Sequence, residues 1–98
     1  MLLRWATDIH LDHLRADEEV DAFCTSLVSG LGEGDAVVLT GDLSNARQLA
    51  GHLRQLADAC ARVGCDAYFV LGNHDYYGSS VHEVGVTAIE ACSDRLRW

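Results

Sequence analysis

The sequence predicts an α/β fold in which strands and helices alternate in the order β-α-β-α-β-α. Three short apolar runs have the pattern of buried strands, and each ends at side chains that can donate oxygen or nitrogen ligands. The stretches between them carry apolar residues at helical spacing. These connections are long enough to return the chain to the same edge, so we expect the strands to be parallel.

The three predicted strands are residues 2–7, 35–40 and 65–71. The middle one has a continuous apolar core, which is typical of a central parallel strand that is covered on both faces. Trp5, in the first strand, is expected in the hydrophobic core. Residues 95–98 alternate apolar and basic side chains, as the first residues of a further strand would.

Each predicted helix has a start or a stop signal of its own. The first begins with three acids, where the helix dipole favours negative charge, and the first two end before a glycine. The third begins with the Ser-x-x-Glu pattern of a capping box. The signals are Asp17, Glu18, Glu19 and Gly32 for the first helix, Ser44 or Asn45 and Gly64 for the second, and Ser80 and Glu83 for the third. The apolar face of the third helix is predicted to hold Val81, Val84, Ala88, Ile89 and Cys92.

Composition excludes several classes of protein. An apolar fraction of 49% argues against disorder, and a formal charge of −8, with no lysine, suits neither nucleic acid nor anionic membrane. No apolar run approaches the ~20 residues that span a bilayer, and the first strand begins at Leu2, so we expect a cytoplasmic protein without a signal peptide. The cysteines lack C-x-x-C spacing and are predicted to be mostly reduced core thiols; they are Cys24, Cys60, Cys65 and Cys92.

Chemically useful side chains follow all three predicted strands. Asp8 and His10 follow the first strand, Asp42 comes after Gly41 at the end of the second, and Gly72-Asn73-His74-Asp75 follows the third. In an open α/β sheet, sites form outside the carboxyl ends of the strands, so we expect these side chains to converge. Asp8 and His10 are two residues apart, and on an extended segment they would point the same way.

The ordered set Asp8-x-His10, Gly41-Asp42 and Gly72-Asn73-His74-Asp75 resembles the first three signatures of the calcineurin-like metallophosphoesterase superfamily. The resemblance runs from residue 2 to about residue 78. It implies that residues 1–98 are a single partial domain, the N-terminal half of a two-sheet α/β sandwich that is cut at its C-terminus. The two further signatures of the superfamily, a lone histidine and Gly-His-x-His, do not follow in these residues.

The resemblance also implies a function. It predicts a hydrolase of phosphate mono- or diesters with a dinuclear metal site, in which nucleic acid enters only as a substrate. The implied metal ligands are Asp8, His10, Asp42 and Asn73, with Asp42 bridging both ions. His74, with Asp75 orienting its imidazole, would stabilise the transition state or protonate the leaving oxygen. Mixed nitrogen and oxygen ligands admit Mn, Fe, Zn, Co or Ni as the two divalent ions.

A second interpretation is a catalytically inactive metal-binding or interaction module. Half of a sandwich would leave one sheet face uncovered, so we expect self-association through that face. A nucleotide-binding α/β domain is disfavoured, because the sequence lacks both G-x-G-x-x-G and a P-loop lysine. Four further side chains have simpler interpretations, Asp12 and His13 as solvated loop residues and His52 and His82 as structural histidines.

Overall fold

The computed structural model describes residues 1–98 and contains one sheet of four parallel strands. The strands are β1 (Leu3–Thr7), β2 (Ala36–Thr40), β3 (Asp66–Val70) and β4 (Leu96–Arg97), in the spatial order β1-β2-β3-β4. The α/β prediction is confirmed, and so is the further strand predicted near residue 96. The arrangement is consistent with half of a two-sheet α/β sandwich.

Three helices connect the strands: α1 (Asp17–Leu27), α2 (Leu49–Val63) and α3 (Val81–Ala91). Helix α2 lies between the other two and packs against both. It also contributes the largest buried face, because its apolar residues recur at three- and four-residue intervals. That face consists of Leu49, Leu53, Leu56, Ala59 and Cys60.

Most of the predicted helix ends are found. Gly64 adopts a left-handed φ of 82° after α2, and Ser80 Oγ accepts a hydrogen bond from the Glu83 amide at 3.1 Å. Helix α1, however, ends at Leu27 and not at Gly32 as predicted. A turn with a left-handed glycine, Gly30 at φ 82°, comes first and reverses the chain.

The three helices cover one face of the sheet. Because successive strands are neighbours and parallel crossovers share one hand, all three helices fall on the same side. The strand residues that face them are fully buried. These residues are Val37, Leu39, Ala67, Phe69 and Leu96.

The opposite face of the sheet is open, as the half-sandwich interpretation expects. Two predictions about it are wrong. Strand β2 is not covered on both faces, since Val38 and Thr40 are only half-buried. Trp5 is not in the core but is 68% exposed, and its indole N–H donates to Thr40 Oγ1 at 3.0 Å. Tyr68 and Val70 are exposed beside these residues, so the open face carries apolar surface.

The predicted apolar face of α3 is only partly buried. Val84 and Ala88 lie in the core, whereas Val81 and Ile89 are exposed. Helix α3 packs mainly against α2, at one end of the helical layer, so one narrow stripe of it finds a partner. None of the helices combines the length and the apolar character that a membrane crossing requires.

The thiol prediction is confirmed for three of the cysteines. All four are free, and Cys24, Cys60 and Cys65 are buried while Cys92 is exposed. Burial raises the pKa of Cys24 to about 11 and that of Cys60 to about 12. These two thiols therefore stay protonated near neutral pH and pack as small apolar groups.

Candidate metal centre

The loops that follow β1 and β2 run side by side beyond the sheet. The amide of His10 donates to Asp42 O at 3.0 Å, and the amide of Leu11 donates to Leu43 O at 2.8 Å. This continued pairing places the first loop against the second. As a result, one ligand atom from each of Asp8, His10 and Asp42 lies within 4.8 Å of the others.

The backbone at these three residues is left-handed. Asp8 has φ 53°, His10 has φ 45° and Asp42 has φ 45°, and no other non-glycine residue in the chain has a positive φ. Asp8 and His10 converge for this reason, and not because they share one side of an extended segment as predicted. A left-handed backbone costs roughly 1–2 kcal/mol per residue with a Cβ, and such residues cluster at functional sites.

The charges of this group fit a divalent cation. Asp8 and Asp42 approach each other, and neither forms an ion pair with an arginine. The Thr7 hydroxyl donates to Asp8 Oδ2 at 2.6 Å, which lowers the pKa of this exposed carboxyl although some desolvation opposes the shift. His10 Nδ1 is buried without a hydrogen-bond partner. Adjacent carboxylates and an unsatisfied imidazole nitrogen are the donors that Mn, Fe or Zn would take.

The third strand-end motif is docked on Asp42 through Gly72. The backbone of Gly72 is extended, at φ −113° and ψ −179°, so its conformation alone does not require glycine. A Cβ at this position, however, would overlap the Asp42 carboxylate and lie 2.5 Å from the Asp42 backbone nitrogen. The His74 amide then donates to Asp42 Oδ1 at 2.9 Å. Asn73 lies exposed at the start of the 3₁₀ turn Asn73–Tyr76, and its ligand role stays a prediction.

The imidazole of His74 is held by Asp12, not by Asp75. His74 Nε2 lies 2.8 Å from Asp12 Oδ2. The buried Asp75 carboxylate instead accepts from the amides of Ser44 at 2.6 Å and Gly72 at 2.8 Å. Asp75 therefore closes the turn and ties it to the loop after β2. The predicted contact between Asp75 and the His74 ring is absent, and with it the reason for a catalytic Asp75.

Asp12 was missed because a short polar loop gives no sign of burial. Its side chain is only 8% exposed, so its interpretation as a solvated residue is wrong. Burial raises the pKa of Asp12, but the hydrogen bond and the charge of His74 outweigh burial, and the pKa is lowered overall. Asp12 is thus an ionised acceptor, which places a proton on His74 Nε2. The regular spacing Asp8-x-His10-x-Asp12 was the one available sequence signal.

A buried hydrogen bond between Ser44 and His52 connects the loop after β2 to helix α2. Ser44 Oγ and His52 Nδ1 are hydrogen-bonded at 2.6 Å, which confirms His52 as a structural histidine. Burial lowers the pKa of His52 and outweighs the opposing charges of nearby carboxylates. Ser44 is therefore not a helix cap. Asn45 is not the cap either, since the N-cap of α2 is Gln48. Asn45 Oδ1 accepts from the Gln48 amide at 2.9 Å and closes the turn that precedes the helix.

A cleft of about 500 Å³ opens beside His74. The Arg47 side chain in it forms no ion pair and no hydrogen bond, so its guanidinium is free to meet an anion. A single exposed arginine has no signal in the sequence, so its place in the cleft could not be predicted. The lining residues are Asp12, Asn45, Arg47, His74, Tyr77 and Gly78.

Comparison with known proteins gives one match. A family model described as calcineurin-like phosphoesterase matches residues 4–94, which include all three strand-end motifs. No match was found among curated proteins or among solved structures.

Proposed function

The chain belongs to the calcineurin-like phosphoesterase family, and from this membership we propose that it is a metal-dependent hydrolase of phosphate mono- or diesters. One observation carries the proposal. The three non-glycine residues with a left-handed backbone are the same three whose ligand atoms converge, Asp8, His10 and Asp42. Strain confined to one group of side chains is the mark of a site held for function.

Two divalent cations of the Mn, Fe, Zn, Co and Ni series belong to the proposed site. Asp8, His10 and Asp42 would hold the first, and Asp42 together with Asn73 would hold the second. When bound, such cations polarise phosphoryl oxygens and make water a nucleophile near neutral pH. Asp42 is suited to a shared role, because a carboxylate offers two oxygens and the His74 amide holds Oδ1 in place.

The side chains around the cleft supply the remaining chemistry. Asp12 accepts a hydrogen bond from His74 Nε2, which fixes the imidazole and stabilises positive charge on it. With Nε2–H bound to Asp12, the proton that His74 would give to the leaving oxygen, or the hydrogen bond that it would donate to the developing charge, comes from Nδ1–H of the protonated ring. Arg47 offers a planar fork of donors that matches the oxygens of a phosphate ester.

Hydrolysis of bis-p-nitrophenyl phosphate and p-nitrophenyl phosphate with Mn²⁺ tests the proposal. We expect turnover that EDTA stops, that Asp42→Asn abolishes and that His74→Ala slows by roughly 10²–10⁴-fold. His82→Ala is the matched control, since His82 is exposed in the first turn of α3. Turnover that survives EDTA would refute a metal-dependent mechanism. A loss of turnover in His82→Ala as large as that in His74→Ala would refute a specific role for His74.

The open sheet face favours a second candidate, a metal-binding module that self-associates. Apolar side chains are exposed on β1 and β3, the strands on either side of β2, and such surfaces mark interaction sites. They are Leu3, Trp5, Tyr68 and Val70. For this candidate we propose that a second copy of the chain covers the face. Sedimentation should then show a dimer that Trp5→Ser shifts toward monomer and Ile89→Ser, on exposed α3, does not. A monomer at every concentration would contradict it, and a dimer that binds Mn²⁺ without turnover would favour it over the hydrolase.

A further inference from the structure

We propose a second cation site that competes with the Asp8–His10–Asp42 group and selects zinc-class ions, by which we mean Zn, Co, Ni and Cu. This histidine-rich group consists of His10, Asp12, His13 and His74. One ligand atom from each of the four side chains lies within 4.8 Å of the others. The two groups share His10, and a neutral imidazole has only one nitrogen with a free lone pair, so the groups compete for it. The histidine-rich group is built from the 3₁₀ turn Leu11–His13 and from the turn after β3.

The rings are already assembled. His10 and His13 stack at 4.7 Å between centroids with 6° between their planes, and His74 stands edge-on to His10 at 5.1 Å. Tetrahedral zinc with bonds of about 2.0–2.1 Å needs ligand atoms roughly 3.4 Å apart. Asp12 Oδ2 and His74 Nε2 are closer than that, at 2.8 Å, because they are hydrogen-bonded. An ion would replace the Nε2 proton between them, and the two atoms would move apart by a few tenths of an ångström. His13 is exposed, so its ring can turn to close the remaining gap.

Two buried atoms point to a ligand independently of this spacing. Asp12 Oδ1 and His10 Nδ1 are buried and have no hydrogen-bond partner. The Asp12 side chain is only 8% exposed, so solvent does not satisfy the second oxygen. Buried polar atoms in folded proteins almost always have a partner. Two members of the group therefore carry a buried polar atom that no protein atom satisfies, and a bound cation is a partner of the right chemistry.

The donor types separate the two groups. Three imidazoles and one carboxylate suit Zn, Co, Ni or Cu, whereas Asp8, His10 and Asp42 offer two carboxylates that also suit Mn. A zinc-class ion in the histidine-rich group would take His10 from the first group and His74 from the cleft. Provided the proposed phosphoesterase function holds, such an ion would inhibit hydrolysis supported by Mn²⁺.

Calorimetric titration tests the site without depending on activity. In an Asp42→Asn background the first group is impaired, yet the asparagine oxygen can still accept from the His74 amide. We expect this variant to keep Zn²⁺ binding and to lose Mn²⁺ binding. Adding His13→Ala should weaken Zn²⁺ binding at least tenfold, since even partners outside the ligand set change metal affinity by about 10–100-fold. Adding His82→Ala instead should change Zn²⁺ affinity less than twofold.

Co²⁺ gives a second readout, because a tetrahedral site produces intense visible absorption that the His13→Ala addition should remove. Equal Zn²⁺ affinity with and without His13, in variants with matching circular dichroism melts, would overturn the site. The competition between the two groups is tested by zinc inhibition in the parent and in His13→Ala. The measure of inhibition is the turnover in Mn²⁺ alone divided by the turnover after Zn²⁺ is added. Zinc inhibition of equal strength in the parent and in His13→Ala would overturn the competition, even if the binding result held. If no protein shows turnover, only the phosphoesterase proposal is contradicted, because the titration tests the second cation site independently of activity.

Discussion

The helix-covered core and the loops at the carboxyl ends of the strands follow opposite rules, although the same strands build both. In the core, residues such as Leu56 are about 1% exposed and lie in regular helix or strand. At the loop ends, Asp8, His10 and Asp42 are left-handed, and buried atoms of His10 and Asp12 lack partners. Core residues contribute stability, whereas the loop residues hold positions that cost stability. Substitutions should therefore affect folding in one region and binding in the other.

Leu56→Ala should have the largest effect on folding. Leu56 is buried in α2, and removing its side chain leaves a cavity that costs about 2–5 kcal/mol of unfolding free energy. Urea denaturation measures the loss, and Mn²⁺ affinity of the folded protein should be unchanged. Ile89→Ala, on an exposed part of α3, should cost no more than about 0.5 kcal/mol. Equal losses in the two variants would erase the distinction between core and surface.

Gly72→Ala should lower both the free energy of unfolding and the affinity for Mn²⁺. The added Cβ would displace the Asp42 loop, so we expect a loss of about 1–3 kcal/mol in urea denaturation together with weaker Mn²⁺ binding. Gly51→Ala is the control. No heavy atom lies within 4 Å of a Cβ at position 51 of α2, and alanine there should stabilise the protein by about 1 kcal/mol. Normal Mn²⁺ affinity in Gly72→Ala would contradict the close approach of Gly72 to Asp42.

Asp12→Asn and Asp75→Asn should have different effects, because only the Asp12 carboxylate contacts the His74 ring. Without the Asp12 carboxylate the imidazole loses its ionised partner, so kcat with Mn²⁺ should fall roughly tenfold, part of the 10²–10⁴ that general acid catalysis supplies. Asp75→Asn should lower the melting temperature instead, since Asp75 accepts from the Ser44 and Gly72 amides. A larger kcat loss in folded Asp75→Asn than in Asp12→Asn would restore Asp75 as the partner of His74.

At position 8, glycine should be more stabilising than alanine. Asp8 is left-handed at φ 53°, a conformation that costs a residue with a Cβ roughly 1 kcal/mol or more and costs glycine nothing. Unfolding free energies of Asp8→Gly and Asp8→Ala should differ by about that amount. At exposed Asp58 within α2 the order should reverse, because glycine weakens a helix by about 1 kcal/mol relative to alanine. The same order at both positions would argue against strain at Asp8.

The smallest effect should be a pH dependence from His52. Burial lowers the pKa of His52 below its ordinary 6.5, so the unfolded chain binds more protons than the folded one below that pH. The free energy of unfolding therefore keeps its full value above pH 6.5, where His52 is neutral in both states. It falls as the pH drops below 6.5, where the unfolded chain gains the proton first. The melting temperature should therefore drop between pH 7.5 and 5.5, and less steeply in His52→Gln. His82→Gln, at an exposed site, should keep the slope of the parent protein.

Several features could be predicted because they depend on neighbours in sequence. The apolar period of α2, the left-handed stop at Gly64 and the cap at Ser80 all act within about one turn of a helix. The strand-end motifs were equally visible, since parallel strands bring their carboxyl ends to one edge regardless of side-chain detail. That rule predicts that Asp8, His10 and Asp42 lie at one edge of the sheet, and the left-handed backbone at these residues then brings their ligand atoms together.

The tertiary structure alone decided how the meeting side chains pair. His74 and Asp12 are 62 residues apart, and only the docking of Gly72 on Asp42 brings their loops together. Asp75, adjacent to His74 in sequence, points to Ser44 instead because the 3₁₀ turn directs it there. Trp5 is exposed for a similar reason. Its strand pattern predicts a buried residue, but the sequential strand order places every helix on the other face of the sheet. Local sequence thus determined the elements and the edge where the site forms, whereas contacts between distant loops determined which charges face each other.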